Sequence, residues 1–406
     1  MAARAGRREW LLAGAVLATA LNLRMAVASV PPLIDDIRAS VPLSATAAGA
    51  LTTLPVVCMG LGATVAPGVS RRVGHEAALA LVGLTMAGGI VLRLLPGVVA
   101  LYAGTAIAGI SIALGNVIVP SLVKRDFHRQ VGPMTGAYTM AISASAGIAA
   151  GLTVPIENAI GQGWRAALAV WALPALVAAA VWVPVARRAA GRTLATGDER
   201  PQVPPSLSRD RLAWQVTLFM GFQSLTFYGL LAWLPSVLHD SGISKGAAGA
   251  YLSVFTLLGI PICLLVPLLV QRLPDQRPLV AAAVALLVAG IVGLIVSPAG
   301  APIVWTLLLG IAQSANLVLA FLFFALRTRD EPEAAALSSM AQSVGYMLAA
   351  VSPPLLGALH AATGGWTLPL LVLLVLLLPV LLAGLGAGRD RRVRARSPRR
   401  ASARSS

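Results

Sequence analysis

The chain is a succession of long apolar runs separated by short polar segments. Twelve of these runs are long enough to cross a membrane, since about 20 apolar residues span the hydrocarbon core. They cover residues 10–33, 46–69, 77–95, 98–122, 133–156, 166–186, 213–238, 247–270, 278–297, 302–326, 335–359 and 366–387. The pattern predicts an all-α integral membrane protein with twelve transmembrane helices.

The composition agrees with this pattern and excludes several classes of protein. Of the 406 residues, 57% are hydrophobic and 11% are charged, whereas a soluble domain is about 25% charged. The two cysteines, Cys58 and Cys263, lie inside apolar runs and form neither a disulfide framework nor a metal-ligand spacing. No Walker sequence and no cluster of catalytic histidines or acids occurs in the sequence. We therefore expect no enzymatic activity, no cofactor and no metal.

The positive charges are placed unevenly along the chain. There are 31 Lys and Arg against 15 Asp and Glu, which gives a formal net charge of +16. Most of the positive residues fall in alternate gaps between apolar runs, as the excess of Lys and Arg in cytoplasmic loops produces. This placement predicts that both termini are cytoplasmic, and it argues against a nucleic-acid-binding protein. The apolar run after Arg7 and Arg8 continues to Leu33, so we interpret it as the first span and not as a signal peptide.

The longest interior polar segment divides the chain into two halves. Residues 187–212 are rich in Pro, Ser, Thr and charge, and they predict a flexible cytoplasmic linker. The predicted domains are one six-helix bundle at 1–186 and a second at 213–387. An Arg-rich tail follows at 388–406, and we predict that it is disordered, with contact to anionic lipid headgroups as the alternative.

The two halves share a repeated pattern. Pro67 recurs as Pro267 and Asn116 recurs as Asn316, each 200 residues later in the chain. Because an even number of spans separates the copies, both halves have the same orientation in the membrane. Parallel six-helix repeats are a transporter architecture in which the substrate binds near the midplane, between the halves. The pattern therefore predicts two pseudo-symmetric six-helix bundles around a central substrate site.

Five stretches carry a resemblance to a known family. They are LNLRMAVASVPPL at 21–33, ALGNVIVPSLVKRDF at 113–127, MTGAYT at 134–139, LFMGFQSLTFYGLLAWLPSVL at 218–238 and LSSMAQSVGYMLAA at 337–350. Together they resemble the major facilitator superfamily and, within it, the cyanate and 2-nitroimidazole permease family. The resemblance implies the major facilitator fold, in a monomeric permease of a bacterial inner membrane. It also implies transport of a small anionic or weakly acidic solute, such as cyanate, a carboxylate or a nitroheterocycle.

One motif departs from the family pattern. The loop between the second and third spans of this superfamily usually carries an aspartate immediately before an Arg-x-Gly sequence. In this chain Arg71 stands at that position, before Arg72 and Gly74. A cytoplasmic charge-relay role for that aspartate is therefore not carried over to this protein.

Arg24 is the leading candidate for substrate binding. It lies about midway along the first apolar run, where an arginine costs about 2.5–3.5 kcal/mol on insertion scales. Asp35 and Asp36 lie about 16 Å away along a helix, too far to neutralise it. A guanidinium binds carboxylate-like anions through two parallel hydrogen bonds and stacks on flat rings. We therefore expect Arg24 to receive an anionic substrate; a structural arginine tied to backbone carbonyls near Pro31 and Pro32 is the alternative.

Other polar and aromatic residues in the spans complete the candidate substrate site. Polar side chains in a membrane face the bundle interior, a cavity or one another. The candidates are Asn22, Asn116, Tyr138, Gln223, Phe227, Tyr228, Asn316, Gln342 and Tyr346. For the three asparagines, hydrogen bonds that hold helices together are the alternative. For Phe227, and for Gln342 and Tyr346 on span eleven, the alternative is packing between helices.

The predicted spans contain no carboxylate or histidine at depth. A proton relay within the protein therefore has no carrier, which leaves transport down a gradient, or protons as a co-substrate that moves on a weakly acidic solute. The sequence predicts a secondary or facilitative transporter that works by rocker-switch alternating access, with a small molecule and the lipid bilayer as its partners. Export of a neutral or cationic antimicrobial compound is the alternative.

Overall fold

The computed structural model describes residues 2–41, 45–196 and 207–393, and the regular elements in these residues are all helical. Fifteen α-helices follow one another in this part of the chain, with one 3-10 turn at Pro31–Leu33. The helices are α1 (Ala2–Ala28), α2 (Ile34–Ser40), α3 (Ala45–Val73), α4 (His75–Leu92), α5 (Val98–Asp126), α6 (Val131–Ile160), α7 (Gly163–Val170), α8 (Ala172–Thr196), α9 (Arg211–Asp240), α10 (Lys245–Leu257), α11 (Gly259–Arg272), α12 (Arg277–Val296), α13 (Pro302–Leu326), α14 (Glu331–Thr363) and α15 (Thr367–Ala387).

Twelve segments of the described residues are suited to crossing a membrane. Eleven are long and apolar enough by themselves, and α6 supplies a twelfth in two parts, Val131–Ala149 and Gly151–Ile160, which are bent by 42°. Pro155 lies four residues after Gly151, and a proline removes the hydrogen bond to the carbonyl four residues before it, which bends a helix. Span six consists of α7 and α8, and span eight consists of α10 and α11. These segments agree with the twelve apolar runs of the sequence.

The linker between the bundles begins later than the sequence predicts. Helix α8 continues to Thr196, because Ala and Arg, which follow the apolar run, are strong helix formers. Helix α9 begins after Asp210, whose side chain caps it by accepting a hydrogen bond from the Ala213 amide at 2.9 Å. Residues 197–206 of the linker and 394–406 of the tail lie outside the described residues, so the flexibility and disorder assigned to them stay predictions.

The two six-helix bundles have the same internal arrangement. In the first bundle α1 packs on α6, α3 packs on α5 and α4 packs on α8. In the second bundle the equivalent helices pair in the same way, α9 with α14, α11 with α13 and α12 with α15. Because the pairs correspond span by span, the packing supports the tandem repeat predicted from the sequence.

The bundles meet chiefly across three helix pairs, α3 with α14, α5 with α14 and α6 with α11, and smaller contacts join α6 to α10 and to α13, and α5 to α13. We call the end of the molecule at which α3 finishes and α14 begins the inner end, and the sequence predicts that it is cytoplasmic. At this end Lys124 of α5 donates hydrogen bonds to the carbonyls of Ala325 at 2.8 Å and Thr328 at 3.1 Å in the second bundle. The two bundles are therefore in direct contact at the inner end.

An ion-pair network at the inner end also joins the bundles. His75 of α4 lies 2.7 Å from Glu331 of α14. Arg125 of α5 contacts Glu76 at 2.6 Å, and a second Glu331 oxygen lies 3.9 Å from it. Arg71, in contrast, is exposed and donates to a carbonyl of its own helix. The acids around Arg125 are thus Glu76, Glu331 and the adjacent Asp126, at 2.8 Å, and none of them stands at the position that the family's aspartate occupies.

Candidate substrate-binding site

Arg24 joins the two bundles near mid-height. Its Nη1 donates a hydrogen bond to the Tyr228 hydroxyl of α9 at 2.6 Å, and its Cζ lies 5.9 Å from the centroid of the same ring. The neighbouring Ala20 and Leu23 are buried in the apolar core. Around this position α1 therefore buries apolar side chains and turns Arg24 toward the second bundle.

Arg24 has no acidic partner among the described residues. The positive groups that form ion pairs in this part of the chain are His75, Arg125, Arg277 and Arg327. Each of these lies in a loop or at a helix end, whereas Arg24 lies within a span. A charge held inside a membrane span is costly unless it is paired or lines an aqueous cavity. Arg24 is thus a deep cation whose hydrogen-bond partner among the described residues is the neutral Tyr228 hydroxyl.

A small cavity lies between the bundles beside Arg24. It is lined by Arg24, Gln223, Ser224, Phe227, Tyr228, Leu317 and Tyr346. The Phe227 ring stands edge-on to Tyr228 at a centroid distance of 5.3 Å and is stacked on Phe255 at 5.9 Å. The cavity thus combines one cation with an aromatic wall and a few neutral polar groups.

A second layer of hydrogen bonds joins the bundles closer to the inner end. At 1.5 Å per residue from the inner ends of their spans, which for Arg24 is Glu9, Arg24 and Tyr228 lie about 22–26 Å up, and Asn116 and Gln342 about 15–17 Å up. Gln342 Nε2 donates to the main-chain carbonyl of Asn116 at 2.9 Å. Asn116 Nδ2 donates to the Tyr346 hydroxyl at 3.4 Å. Because Tyr346 also lines the cavity, this second layer forms its floor.

The structure brings together six of the nine residues that the sequence places beside Arg24. Four of them line the cavity, and the amides of Asn116 and Gln342 form the floor. Gln223 is buried, and its Nε2 donates to the Ser224 hydroxyl at 2.8 Å. The four that line the cavity are Gln223, Phe227, Tyr228 and Tyr346.

Three predicted residues lie elsewhere. Asn22 Nδ2 donates to the carbonyls of Ala18 at 2.8 Å and Pro174 at 3.1 Å, so it ties α1 to α8 within the first bundle. Tyr138 is buried and packs edge-on against a phenylalanine ring of α13 at 5.9 Å. Asn316 is fully buried, and neither of its side-chain polar atoms has a hydrogen-bond partner among the described residues. For Asn22 this geometry agrees with the alternative of a hydrogen bond that holds helices together.

Two residues of the cavity wall are not among the predicted ones. Leu317 directly follows Asn316 on α13, and its apolar side chain gives no signal that separates it from packing residues. Ser224 directly follows Gln223, and serine is common between membrane helices as a packing residue. The only signal in the sequence that could have indicated these two positions is the polar amide residue directly before each, Asn316 before Leu317 and Gln223 before Ser224.

Comparisons with known proteins show the family to which the chain belongs. Residues 12–350 match the Major Facilitator Superfamily. The chain is 39% identical to the 2-nitroimidazole transporter of Escherichia coli (strain K12), over 96% of this chain and 98% of that protein. It is 27% identical to the cyanate transport protein CynX of the same organism, over 85% and 89% of the two chains.

A solved structure shows the same fold at low sequence identity. The proton:xylose symporter XylE, bound to 6-bromo-6-deoxy-D-glucose, superposes with a TM-score of 0.71 at 13% identity, over 92% of this chain and 94% of that chain. This likeness and the family match confirm the predicted major facilitator fold. The chain belongs to the major facilitator superfamily, and it is a multi-pass membrane transporter of the 2-nitroimidazole and cyanate type and not an enzyme.

Proposed function

We propose that this transporter moves a small, flat, anionic or weakly acidic solute by alternating access, and that Arg24 binds the negative charge of the solute. The observation that carries the proposal is the setting of Arg24. It is a cation at mid-height between the bundles, it donates to the neutral Tyr228 hydroxyl at 2.6 Å, and it has no acidic partner among the described residues.

The guanidinium has donors to spare for such a solute. Arginine carries five N–H groups in a planar fork, and only the Nη1 group donates to another described residue. Two parallel hydrogen bonds from the remaining donors suit the paired oxygens of a carboxylate or a nitro group. The same planar head also stacks on flat rings.

The aromatic wall supports the choice of a flat solute. Phe227 is held between Tyr228 and Phe255, so its ring has a fixed orientation at the cavity. Aromatic rings prefer offset stacked or edge-on contacts with another ring, and Phe227 and Tyr228 present such rings to the cavity. Two relatives are named as transporters of 2-nitroimidazole and of cyanate, which are small solutes, one planar and one linear.

The division of the site between the bundles supports alternating access. Arg24 belongs to the first bundle, whereas Gln223, Phe227, Tyr228 and Tyr346 belong to the second. An anion bound to Arg24 would contact both bundles, so its binding would draw them together around it. The residues that line the cavity include no acid and no histidine. We therefore propose that any coupled proton moves on the solute itself.

The test is transport by the full chain reconstituted in liposomes, with cyanate, benzoate and 2-nitroimidazole as solutes. Removing a hydrogen-bonded charge costs about 1.5–3 kcal/mol, so Arg24→Ala should lower uptake by about tenfold to a hundredfold. Arg24→Lys should be impaired as well, because an ammonium lacks the planar fork. Stimulation of uptake by an inward proton gradient would indicate that a proton accompanies the solute.

The matched control is Arg165→Ala, which removes an arginine that stacks on Trp164 at 4.2 Å, close to the start of α7. We expect it to leave uptake unchanged. Wild-type uptake by the Arg24→Ala variant would overturn the assignment of the anion site. Export of a neutral or cationic antimicrobial is not favoured, since a cation in the cavity repels a cationic solute.

A further inference from the structure

Among the prolines that lie inside helices, three leave a main-chain carbonyl without its donor in the helix at the interface between the bundles. A proline has no N–H group, so the carbonyl four residues before it loses its hydrogen bond within the helix. We call such an oxygen a freed carbonyl. Pro67 of α3, Pro120 of α5 and Pro267 of α11 all lie inside helices that face the other bundle.

The carbonyl freed by Pro67 is that of Ala63. It accepts a hydrogen bond from the Ser339 hydroxyl of α14 at 2.6 Å. Both residues are buried, and they belong to different bundles. The donor that α3 lacks is thus supplied from across the interface.

The carbonyl freed by Pro120 is that of Asn116. It accepts a hydrogen bond from Gln342 Nε2, also of α14, at 2.9 Å. Gln342 is fully buried, and it lies one helical turn beyond Ser339 on the same helix. Helix α14 therefore docks on two freed carbonyls of two different helices in the first bundle.

The carbonyl freed by Pro267 is that of Cys263. Here the freed carbonyl belongs to the second bundle, and it faces a helix of the first bundle. It lies so close to Gly136 of α6 that a Cβ atom on this glycine would be 2.5 Å from the oxygen. Such an approach is typical of a Cα–H···O contact. Pro67 and Pro267 are equivalent positions of the sequence repeat, so both sides of the pseudo-symmetric interface use a freed carbonyl.

We infer that Ser339 and Gln342 are positioning residues of the transport cycle, which hold the inner end closed by docking on the carbonyls freed by Pro67 and Pro120. A buried carbonyl without a donor costs free energy, so these oxygens favour the state in which α14 supplies one. When the inner end opens, water in the opened cavity can replace the lost donors. The bonds therefore favour closure by a modest amount and still allow release.

The competing explanation is that the prolines only bend their helices and that the two cross-bundle bonds are incidental. The two explanations differ in how the proline and its cross-bundle donor depend on each other. Pro120→Ala restores an N–H that satisfies the Asn116 carbonyl within α5, so Gln342 loses its acceptor. If the carbonyl connects the two residues, the effects of Pro120→Ala and Gln342→Ala will not add.

The two native cysteines report on the inner end. Cys263 is fully buried at the interface of α6 and α11, where Ser143 lies 3.9 Å from its sulfur. Cys58 lies between α3 and α5 of a single bundle, against Gly109. Opening of the inner end should expose Cys263 and leave Cys58 covered. The rate at which a membrane-impermeant maleimide, applied to the inner side of membrane vesicles, labels Cys263 thus measures the fraction of molecules whose inner end is open. Labelling of Cys58 is the internal control.

The experiment is a double-mutant cycle on the full chain, without substrate. Gln342→Ala should raise the labelling rate of Cys263 about fivefold, as expected for loss of one hydrogen bond. Pro120→Ala should raise it similarly, and the double variant should not exceed either single variant. The matched control is Pro184→Ala in α8, a proline inside a helix of the first bundle at an exposed position, which should leave the labelling rate unchanged.

Additive effects in the cycle, or unchanged labelling in Gln342→Ala, would overturn the inference. Where one of these variants fails to reach the membrane, Ser339→Ala with Pro67→Ala forms a second, independent cycle with the same expectation. The inference rests on alternating access from the proposed function but not on the solute. Because the labelling needs no substrate, its failure is distinguishable from a failure of Arg24 to bind an anion.

Discussion

A single methyl group at Gly136 should push the transporter toward its inner-open state. A Cβ atom at this position would lie 2.5 Å from the Cys263 carbonyl oxygen and 2.9 Å from the Pro267 ring. Contacts between such atoms are most favourable near 3.5–4.0 Å, so α6 and α11 would have to part by about 1 Å. Because the obstacle on α11 includes backbone, side-chain rotation alone does not relieve the clash.

The size of the effect follows from the cost of overpacking. An extra methyl group in a packed interface costs about 1–3 kcal/mol, and the cost disappears once the two helices separate. Since about 1.4 kcal/mol is a factor of ten, the inner-open population should rise by about fivefold to a hundredfold in Gly136→Ala. The gain in helix propensity from glycine to alanine is the same in both states and cancels.

The assay is again maleimide labelling of Cys263 from the inner side, together with solute uptake in liposomes. Gly151→Ala is the matched control, because it makes the same change in the same helix at a position with open space around the new methyl group. We expect faster Cys263 labelling and slower uptake in Gly136→Ala alone. Unchanged labelling in well-expressed Gly136→Ala protein would refute the close packing of α6 on α11 as the seal of the inner end.

Two further predictions concern residues that hold helices together. Asn22→Leu removes the bond to the Pro174 carbonyl, so we expect thermal unfolding a few degrees lower, as for a loss of about 1 kcal/mol, with unchanged solute affinity. A loss of affinity without a loss of stability would instead make Asn22 a substrate contact. Arg327→Leu removes donors from the carbonyls of Ala387 at 2.7 Å and Gly388 at 3.1 Å, each worth about 1–3 kcal/mol when buried. Burial lowers the pKa of Arg327, but arginine stays charged in proteins, so its loss should lower the unfolding temperature equally across the neutral pH range.

The spans and the deep cation were accessible from the sequence because they depend on local properties. Apolar runs of membrane length predict helices whatever their neighbours are, and an arginine inside such a run is conspicuous by its cost. The spacing of Gln223 and Phe227 by four residues likewise predicts one helix face. The cavity indeed has both residues on its wall.

The orientation of single polar residues was not accessible in the same way. Asn22 and Arg24 are two positions apart, and only the packing of α1 on α8 decides that Asn22 turns to the Pro174 carbonyl. Leu317 reaches the cavity because of the way in which α13 is placed, and its side chain carries no polar signal. The residues that form hydrogen bonds across the interface depend on how the two bundles are placed relative to each other. The periodicity of residues within one helix gives no information about this placement.

The five stretches that resemble the family divide into two groups in the structure. Residues 21–33 and 218–238 supply Arg24 and most of the cavity wall. The stretches 113–127, 134–139 and 337–350 meet at the interface between the bundles, where α14 contacts α5, and α6 contacts α11. Since the second group lies at the interface between the bundles and contributes only Tyr346 to the cavity wall, we expect its substitutions to change the rate and balance of the proposed transport cycle. Substitutions in the first group should change which solute is carried, because the charge and the rings that face the solute lie there.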